Sequence, residues 1–144
     1  MKKHGFTLIE LLVVIAIITI LAGMVVSGAQ QARKRGAMTK TKAQIATIET
    51  SISMYEADMG VYPETTNKKL VEALWDDPGD LDWSGPYMRI REKELNEEGE
   101  YLDAWGNAIV YVNPGVHNEY SYDLYSMGPN GEGDGSERDD ITNW

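Results

Sequence analysis

The sequence predicts an α+β protein in which one long N-terminal helix packs on a small C-terminal head. An apolar run from Leu8 to Val26 with a single charge is long enough to cross a membrane as a helix. Helical spacing of apolar residues then continues, without a proline, as far as Met59. Beyond it, turn residues separate one short amphipathic segment from two β-like segments, which is typical of a small mixed head.

Composition limits the functions open to this chain. Its 144 residues contain no cysteine, which excludes disulfides, a thiol nucleophile and cysteine-based metal sites. The net charge of −10 divides into +6 over residues 1–42 and −16 over residues 43–144. The acidic part is therefore a poor partner for nucleic acid, and it suits a solvated head or one that takes up a cation.

Glu10 is the one charged residue in the apolar run. The nineteen residues from Leu8 to Val26 would rise about 28 Å as a helix, so Glu10 lies near the membrane boundary, where an unpaired carboxylate is costly. No flanking residue supplies an obvious partner. The segment is a secretory signal, a plain membrane anchor, or a membrane helix in which Glu10 is paired and functional. The length of the apolar run counts against a secretory signal. A plain anchor gives Glu10 no role beyond lying at the membrane interface.

The segment GFTLIELLVVI at residues 5–15 resembles the cleavage and methylation segment of type IV prepilins and pseudopilins. The resemblance implies that a membrane prepilin peptidase cuts after Gly5 and that the new amine of Phe6 is methylated. It also implies that Glu10 pairs with the Phe6 amine of a neighbouring subunit during assembly. A buried carboxylate and a buried ammonium cost less together than apart, which gives Glu10 its partner.

The same resemblance implies a single inner-membrane span with a cytoplasmic N-terminus and a periplasmic head. Basic residues favour the opposite orientation, because Lys2 and Lys3 face five Lys or Arg between residues 33 and 42. We give the resemblance precedence. The expected divisions are a leader at 1–5, a transmembrane half-helix at 6–29, a periplasmic half-helix at 30–59 and a head at 60–144.

The periplasmic half-helix carries one apolar stripe with spacings of three, four and seven residues, as expected of a packing seam. Its members are Met38, Ile45, Ile48, Ile52, Tyr55 and Met59. Gly60 and Pro63 end the helix, which from Phe6 to Met59 would be about 80 Å long.

The head is predicted to begin with a short helix from Asn67 to Trp75, capped by Thr65 or Thr66. The acidic stretch 92–100 is expected to be a solvated loop. Two or three antiparallel strands are expected to pack on the seam of the long helix, two of them at 108–112 and 120–126, joined through the turn residues 113–115. The cluster 103–107 is interpreted as a turn that buries an indole.

Landmarks along the head resemble, in order, those of the major pseudopilin of type II secretion systems. They are the segments 54–63, 70–74, 85–87, 103–107, 113–115 and 139–144. The resemblance implies a type IV pilin-like fold and a structural subunit that polymerises into a helical filament, together with minor pseudopilins, an inner-membrane assembly platform and membrane lipid. A surface type IV pilus subunit and a membrane-tethered calcium module that does not polymerise are the alternatives.

The C-terminal loop is rich in oxygen ligands and glycine, the composition that calcium prefers. An EF-hand does not fit, because Ile141 stands where the bidentate Glu would be. The resemblance implies a calcium ion held by side chains of Asp139, Asp140 and Asn130 and by main-chain oxygens near Met127 and Glu132. Because the family usually has Asp in place of Asn130 and the loop length varies, Asp134 or Glu137 is an alternative ligand.

Catalysis is not expected. The two histidines are His4, in the leader, and His117, beside a turn, and no nucleophile elbow or phosphate loop is present in the sequence.

Overall fold

The computed structural model describes residues 7–144, apart from the side chains of residues 25–27. Helix α1 spans Leu8–Met59 and helix α2 spans Asn67–Trp75. Three short strands follow: β1 (Val110–Val112), β2 (Asp123–Ser126) and β3 (Ile141–Thr142). The chain divides into two compact units, Met1–Gly36 and Ala37–Trp144.

In the first unit, helix α1 buries none of its described side chains. The apolar residues from Leu8 to Met24 are all exposed, and Leu8 is 81% accessible. α1 is a helix long and apolar enough to cross a membrane. In water such a surface is unfavourable, so this part of α1 requires lipid or other helices around it.

The second unit has its core along the predicted seam of α1. Ile45, Ile48 and Ile52 are at most 3% exposed, and Met38 and Tyr55 pack against the same cluster. The cluster also contains residues from α2 and the sheet, including Leu74, Ile109 and Leu124. The predicted end of α1 at Met59 is confirmed, and the backbone of Gly60 has the positive φ of 71° that glycine adopts readily.

Helix α2 has the predicted bounds and the predicted cap, because the Thr66 side chain accepts a hydrogen bond from the Lys69 N–H. Its first residue, Asn67, is buried and reaches two other segments. The Asn67 Nδ2 donates to the carbonyls of Tyr101 and Ile109, and its Oδ1 accepts from the Tyr101 N–H at 2.7 Å. One amide therefore ties α2 to the loop that precedes the sheet.

The sheet is antiparallel with order β1-β2-β3, and Tyr111 lies opposite Leu124. Both predicted strands are present but shorter. The expected two or three strands are three, but the position of the third does not follow from the sequence, because two residues after an acidic loop carry no readable alternation. The solvated loop expected at 92–100 is wrong in part: a short 3₁₀ turn covers Glu92–Glu94, and Leu95 forms a β-bridge with Tyr101.

Candidate functional site

The start of α1 is closed by a hydrogen-bonded pair, Thr7 and Glu10. The Thr7 N–H and hydroxyl donate to Glu10 Oε2 at 2.8 and 2.7 Å, while the Glu10 N–H donates to Thr7 Oγ1 at 3.4 Å. This is a capping box, in which the residue before the helix and the third helical residue satisfy each other's free N–H groups. Glu10 thus has a partner within its own chain.

The expectation that no flanking residue serves Glu10 is therefore wrong. The signal was in the sequence, because Thr-x-x-Glu immediately before an apolar run is the capping-box pattern. Glu10 Oε1 accepts no hydrogen bond from residues 7–144. Gly5 and Phe6 lie outside the described residues, so the predicted cleavage site and amine stay predictions.

The second candidate site is the loop between β2 and β3. Residues near its two ends lie together, because a Cβ on Gly128 would collide with the main-chain oxygen of Asp139. A Cβ on Gly133 would lie 3.0 Å from Asp140 Oδ2. The loop therefore folds back so that Met127, Gly133 and the Asp139–Asp140 pair share one region.

Asp140 has a buried side-chain oxygen that lacks a hydrogen-bond donor within residues 7–144. Its Oδ2 accepts the Glu137 N–H at 2.9 Å, but its Oδ1 is buried and has no hydrogen-bond partner among the described residues. A buried carboxylate oxygen without a donor is costly, so a cation there would satisfy it.

The other predicted ligands are arranged less favourably. Asn130 and Glu132 are exposed; Asn130 Oδ1 accepts the Glu132 N–H, and its Nδ2 donates to Glu137 Oε2. Across residues 7–144 there is no cluster of three or more His, Asp or Glu side chains able to hold a metal. The structure thus brings the ends of the loop together and leaves Asn130 and Glu132 at its exposed side.

Asp134, the alternative ligand, is engaged locally. Its Oδ1 accepts from the Ser136 N–H and hydroxyl, and the hydroxyl bond lowers the pKa of the Asp134 carboxyl. The side chain is fully exposed, so this shift reflects a local turn rather than a buried site.

A buried polar network supports the start of this loop. Asp103 Oδ2 accepts the Ser126 hydroxyl at 2.6 Å, and Asn107 Nδ2 donates to the Gly128 carbonyl at 2.7 Å. Asp103 Oδ1 also accepts from the Trp105 and Asn107 N–H groups, which confirms the turn predicted at 103–107. Sequence reasoning missed the reach of this turn, since Ser126 and Gly128 lie about twenty residues away.

A second polar network surrounds Asp123, at the start of β2, and holds the turn that joins β1 to β2. Asp123 is buried, and its carboxylate accepts N–H groups from Val116, His117 and Asn118 at 2.7 to 2.9 Å. Burial raises the pKa of Asp123, but these hydrogen bonds outweigh it and the pKa lies below the usual 3.8. The His117 ring, 3.2 Å from Asp123 Oδ2, stacks on Trp144.

Two family models together match nearly the whole chain. The family model for type II secretion system protein G matches residues 29–144, and a prokaryotic N-terminal methylation motif matches residues 1–26. The chain is 41% identical to the type II secretion system core protein G of Escherichia coli K12, covering 99% of this chain and 92% of the relative.

Other relatives agree. The corresponding proteins of Pseudomonas aeruginosa and Vibrio cholerae are 36% and 34% identical, each over 99% of this chain and over 96% and 92% of their own lengths. The crystal structure of the major pseudopilin from the type 2 secretion system of enterohaemorrhagic Escherichia coli matches with a TM-score of 0.51 at 25% identity, covering 79% of this chain and 87% of that one.

Proposed function

Because this chain belongs to the type II secretion system protein G family, we propose that its two sites serve the assembly and the stability of a pseudopilus filament. The family consists of structural pseudopilin subunits and not of enzymes. The type IV pilin-like fold expected from the sequence is confirmed, and the family match favours a secretion pseudopilus over a surface pilus and over a calcium module that does not polymerise.

The observation that carries the proposal is the position of Glu10 on the fully exposed apolar part of α1. Its carboxylate already holds two hydrogen bonds from Thr7 through Oε2, and Oε1 accepts none from the described residues. The Phe6 ammonium of a neighbouring subunit would form an ion pair with the Glu10 carboxylate and leave its hydrogen bonds to Thr7 in place. Desolvation by lipid and sister helices would strengthen that attraction.

Cleavage of the leader precedes the pairing of Glu10 with Phe6. The match to the methylation motif over residues 1–26 supports cleavage after Gly5 by a prepilin peptidase, which creates the Phe6 amine. We place the span in the inner membrane, with the N-terminus in the cytoplasm and residues 60–144 in the periplasm. Minor pseudopilins and the inner-membrane assembly platform are the partners expected to receive the processed subunit.

Calcium is the proposed ligand of the loop between β2 and β3. Asp139 and Asp140 would bind it with carboxylates, Met127 and Glu132 with main-chain oxygens, and Asn130 with its amide oxygen. The unsatisfied Asp140 Oδ1 supports this assignment. The ion would offset part of the loop's negative charge and join its two ends, which would stabilise a small head that contains no disulfide.

Filament assembly tests the proposal. In cells that supply a prepilin peptidase and a type II secretion apparatus, the parent chain should form shearable filaments, and Glu10→Gln should form few or none while remaining processed and in the membrane. Glu10→Asp is the matched control, because it retains the charge and should retain part of the assembly. Filaments from Glu10→Gln at the parent level would contradict the pairing role.

A further inference from the structure

Three basic side chains form a partial ring on α1 just beyond its apolar part. Arg33, Lys34 and Arg35 are consecutive and exposed, and they belong to the first compact unit. None of them forms an ion pair within residues 7–144. Between Glu10 and Glu49 the helix contains no acidic residue, so neighbours three or four positions away offer no opposite charge.

The direction of these side chains restricts the kind of partner. Consecutive helical residues are separated by about 100°, so the three charges point to different sides of the helix while differing by only about 3 Å in height. A protein partner that packs along one helix face would instead use residues three and four apart. Charges spread over about 200° of the helix at one height match surroundings that are charged at one depth, as a lipid headgroup layer is.

The height of the ring also matches a bilayer. Arg33 lies 25 residues after Leu8, about 38 Å along a helix. With Leu8 at the near edge of a hydrocarbon core about 30 Å thick, the far headgroup layer ends about 35–38 Å from Leu8, because the two headgroup layers bring the bilayer to about 40–45 Å. Helical side chains lean toward the N-terminus, which directs these long basic groups back toward the bilayer. Their charged ends therefore reach the phosphate level of the far leaflet.

We propose that Arg33, Lys34 and Arg35 form a ring that binds anionic phospholipid headgroups in the leaflet on the head side of the membrane. The inference rests on the membrane-spanning role proposed above. Lipid binding gives these basic residues a function. Without one they would only oppose the proposed periplasmic position of the head, since positive charge next to a membrane span favours the cytoplasmic side. Each basic residue at an anionic surface corresponds to about a fivefold preference in lipid contact.

Energy transfer between a labelled protein and labelled lipids tests the ring. Because the chain contains no cysteine, Ala29→Cys provides a single attachment site for a fluorescent donor one turn before Arg33. The full chain is reconstituted into phosphatidylcholine vesicles that contain either headgroup-labelled phosphatidylglycerol or headgroup-labelled phosphatidylcholine as the acceptor, at equal density. The parent should transfer energy more efficiently to phosphatidylglycerol, corresponding to at least a fivefold local enrichment, and 0.5 M salt should reduce the difference.

The triple variant Arg33→Gln, Lys34→Gln and Arg35→Gln should lose this preference. The matched control, Lys68→Gln with Arg89→Gln and Arg91→Gln, removes three exposed charges from the second unit and should keep it. Equal transfer to both lipids in the parent, or a preference retained by the triple variant, would overturn the ring. Release of the parent from vesicles at alkaline pH would overturn the spanning role itself, so the two failures are distinguishable.

Discussion

The indole of Trp144 stacks on the imidazole of His117, with the ring centroids 4.1 Å apart and the planes 9° from parallel. The edge of Tyr125, in β2, contacts the same indole, and a Cβ on Gly135 would lie 2.6 Å from it. Trp144 thus holds the middle of the acidic loop against the sheet.

We expect Trp144→Ala to lower the free energy of unfolding of the head by about 1–2 kcal/mol, from lost apolar area and lost ring contacts. Thermal unfolding of the purified chain followed by near-ultraviolet circular dichroism measures this. Trp75→Ala is the matched control, because Trp75 is 38% exposed against 41% for Trp144 and has no aromatic ring contact among the described residues. Equal effects of the two substitutions would show that the stack contributes nothing specific.

Calcium should raise the melting temperature of the head. At one hundred times its dissociation constant the ion adds about 2.7 kcal/mol, or roughly 10–20 °C for a domain of this size. Asp140→Asn should abolish most of this shift, since it removes the carboxylate whose Oδ1 lacks a donor. Asp82→Asn, at an exposed aspartate outside the loop, is the control. A melting temperature unaffected by chelation in the parent chain would exclude the site.

Acid should weaken the head through Asp123. Its pKa lies below the usual 3.8 in the folded chain, so the carboxylate stabilises the fold fully above that value and loses its contribution as the pH falls through the lower, folded pKa. The free energy of unfolding should therefore decline as the pH falls below about 4. Asp123→Asn should be less stable at pH 7 and show a shallower decline, measured by urea unfolding at each pH. An unchanged slope would assign the acid sensitivity to other carboxyls.

Asn67→Ala should be among the most damaging polar substitutions in the head. It leaves the buried Tyr101 N–H and the Ile109 carbonyl without this partner, while the Tyr101 carbonyl keeps the Ile109 N–H, at a cost of about 2–3 kcal/mol. Chemical denaturation measures the loss. Asn96→Ala provides the comparison, because Asn96 serves a local turn at Glu100 and should cost less.

Thr7→Val should loosen the first turn of α1 by about 1 kcal/mol, the usual value of a helix cap. Amide hydrogen exchange of the lipid-reconstituted chain should become faster at residues 8–11 and remain unchanged further along. Thr19→Val is the control, since Thr19 donates only to the Ile15 carbonyl within the helix. Unchanged exchange in the first turn would mean that the capping box adds no local stability.

Local patterns predicted much of this fold. The seam of α1, its end at Met59 and the bounds of α2 follow from apolar spacing and caps, which act within a few residues. The third strand did not follow from the sequence, because Ile141 pairs with Ser126 only after the chain has turned back through the acidic loop. Pairings of that kind depend on packing that no short window contains.

In the candidate sites, too, local contacts follow from the sequence and contacts between distant residues do not. The position of Glu10 in the apolar run predicts that it needs a partner, and the local Thr-x-x-Glu pattern supplies one in Thr7; its pairing with Phe6 of a neighbouring subunit stays a prediction. The Asp103–Ser126 and Asn107–Gly128 bonds join positions more than twenty residues apart and had no sequence signal. The calcium ligands rested on resemblance, and they stay a prediction that the buried Asp140 Oδ1 supports.

The short edge strands of the sheet limit pairing between neighbouring heads. Its outer strands, β1 and β3, contain three and two residues. Exposed strand edges invite pairing between molecules and, when long, amyloid-like growth. Edges this short offer too few free backbone groups for one head to extend another, so many copies can be concentrated side by side and still separate again.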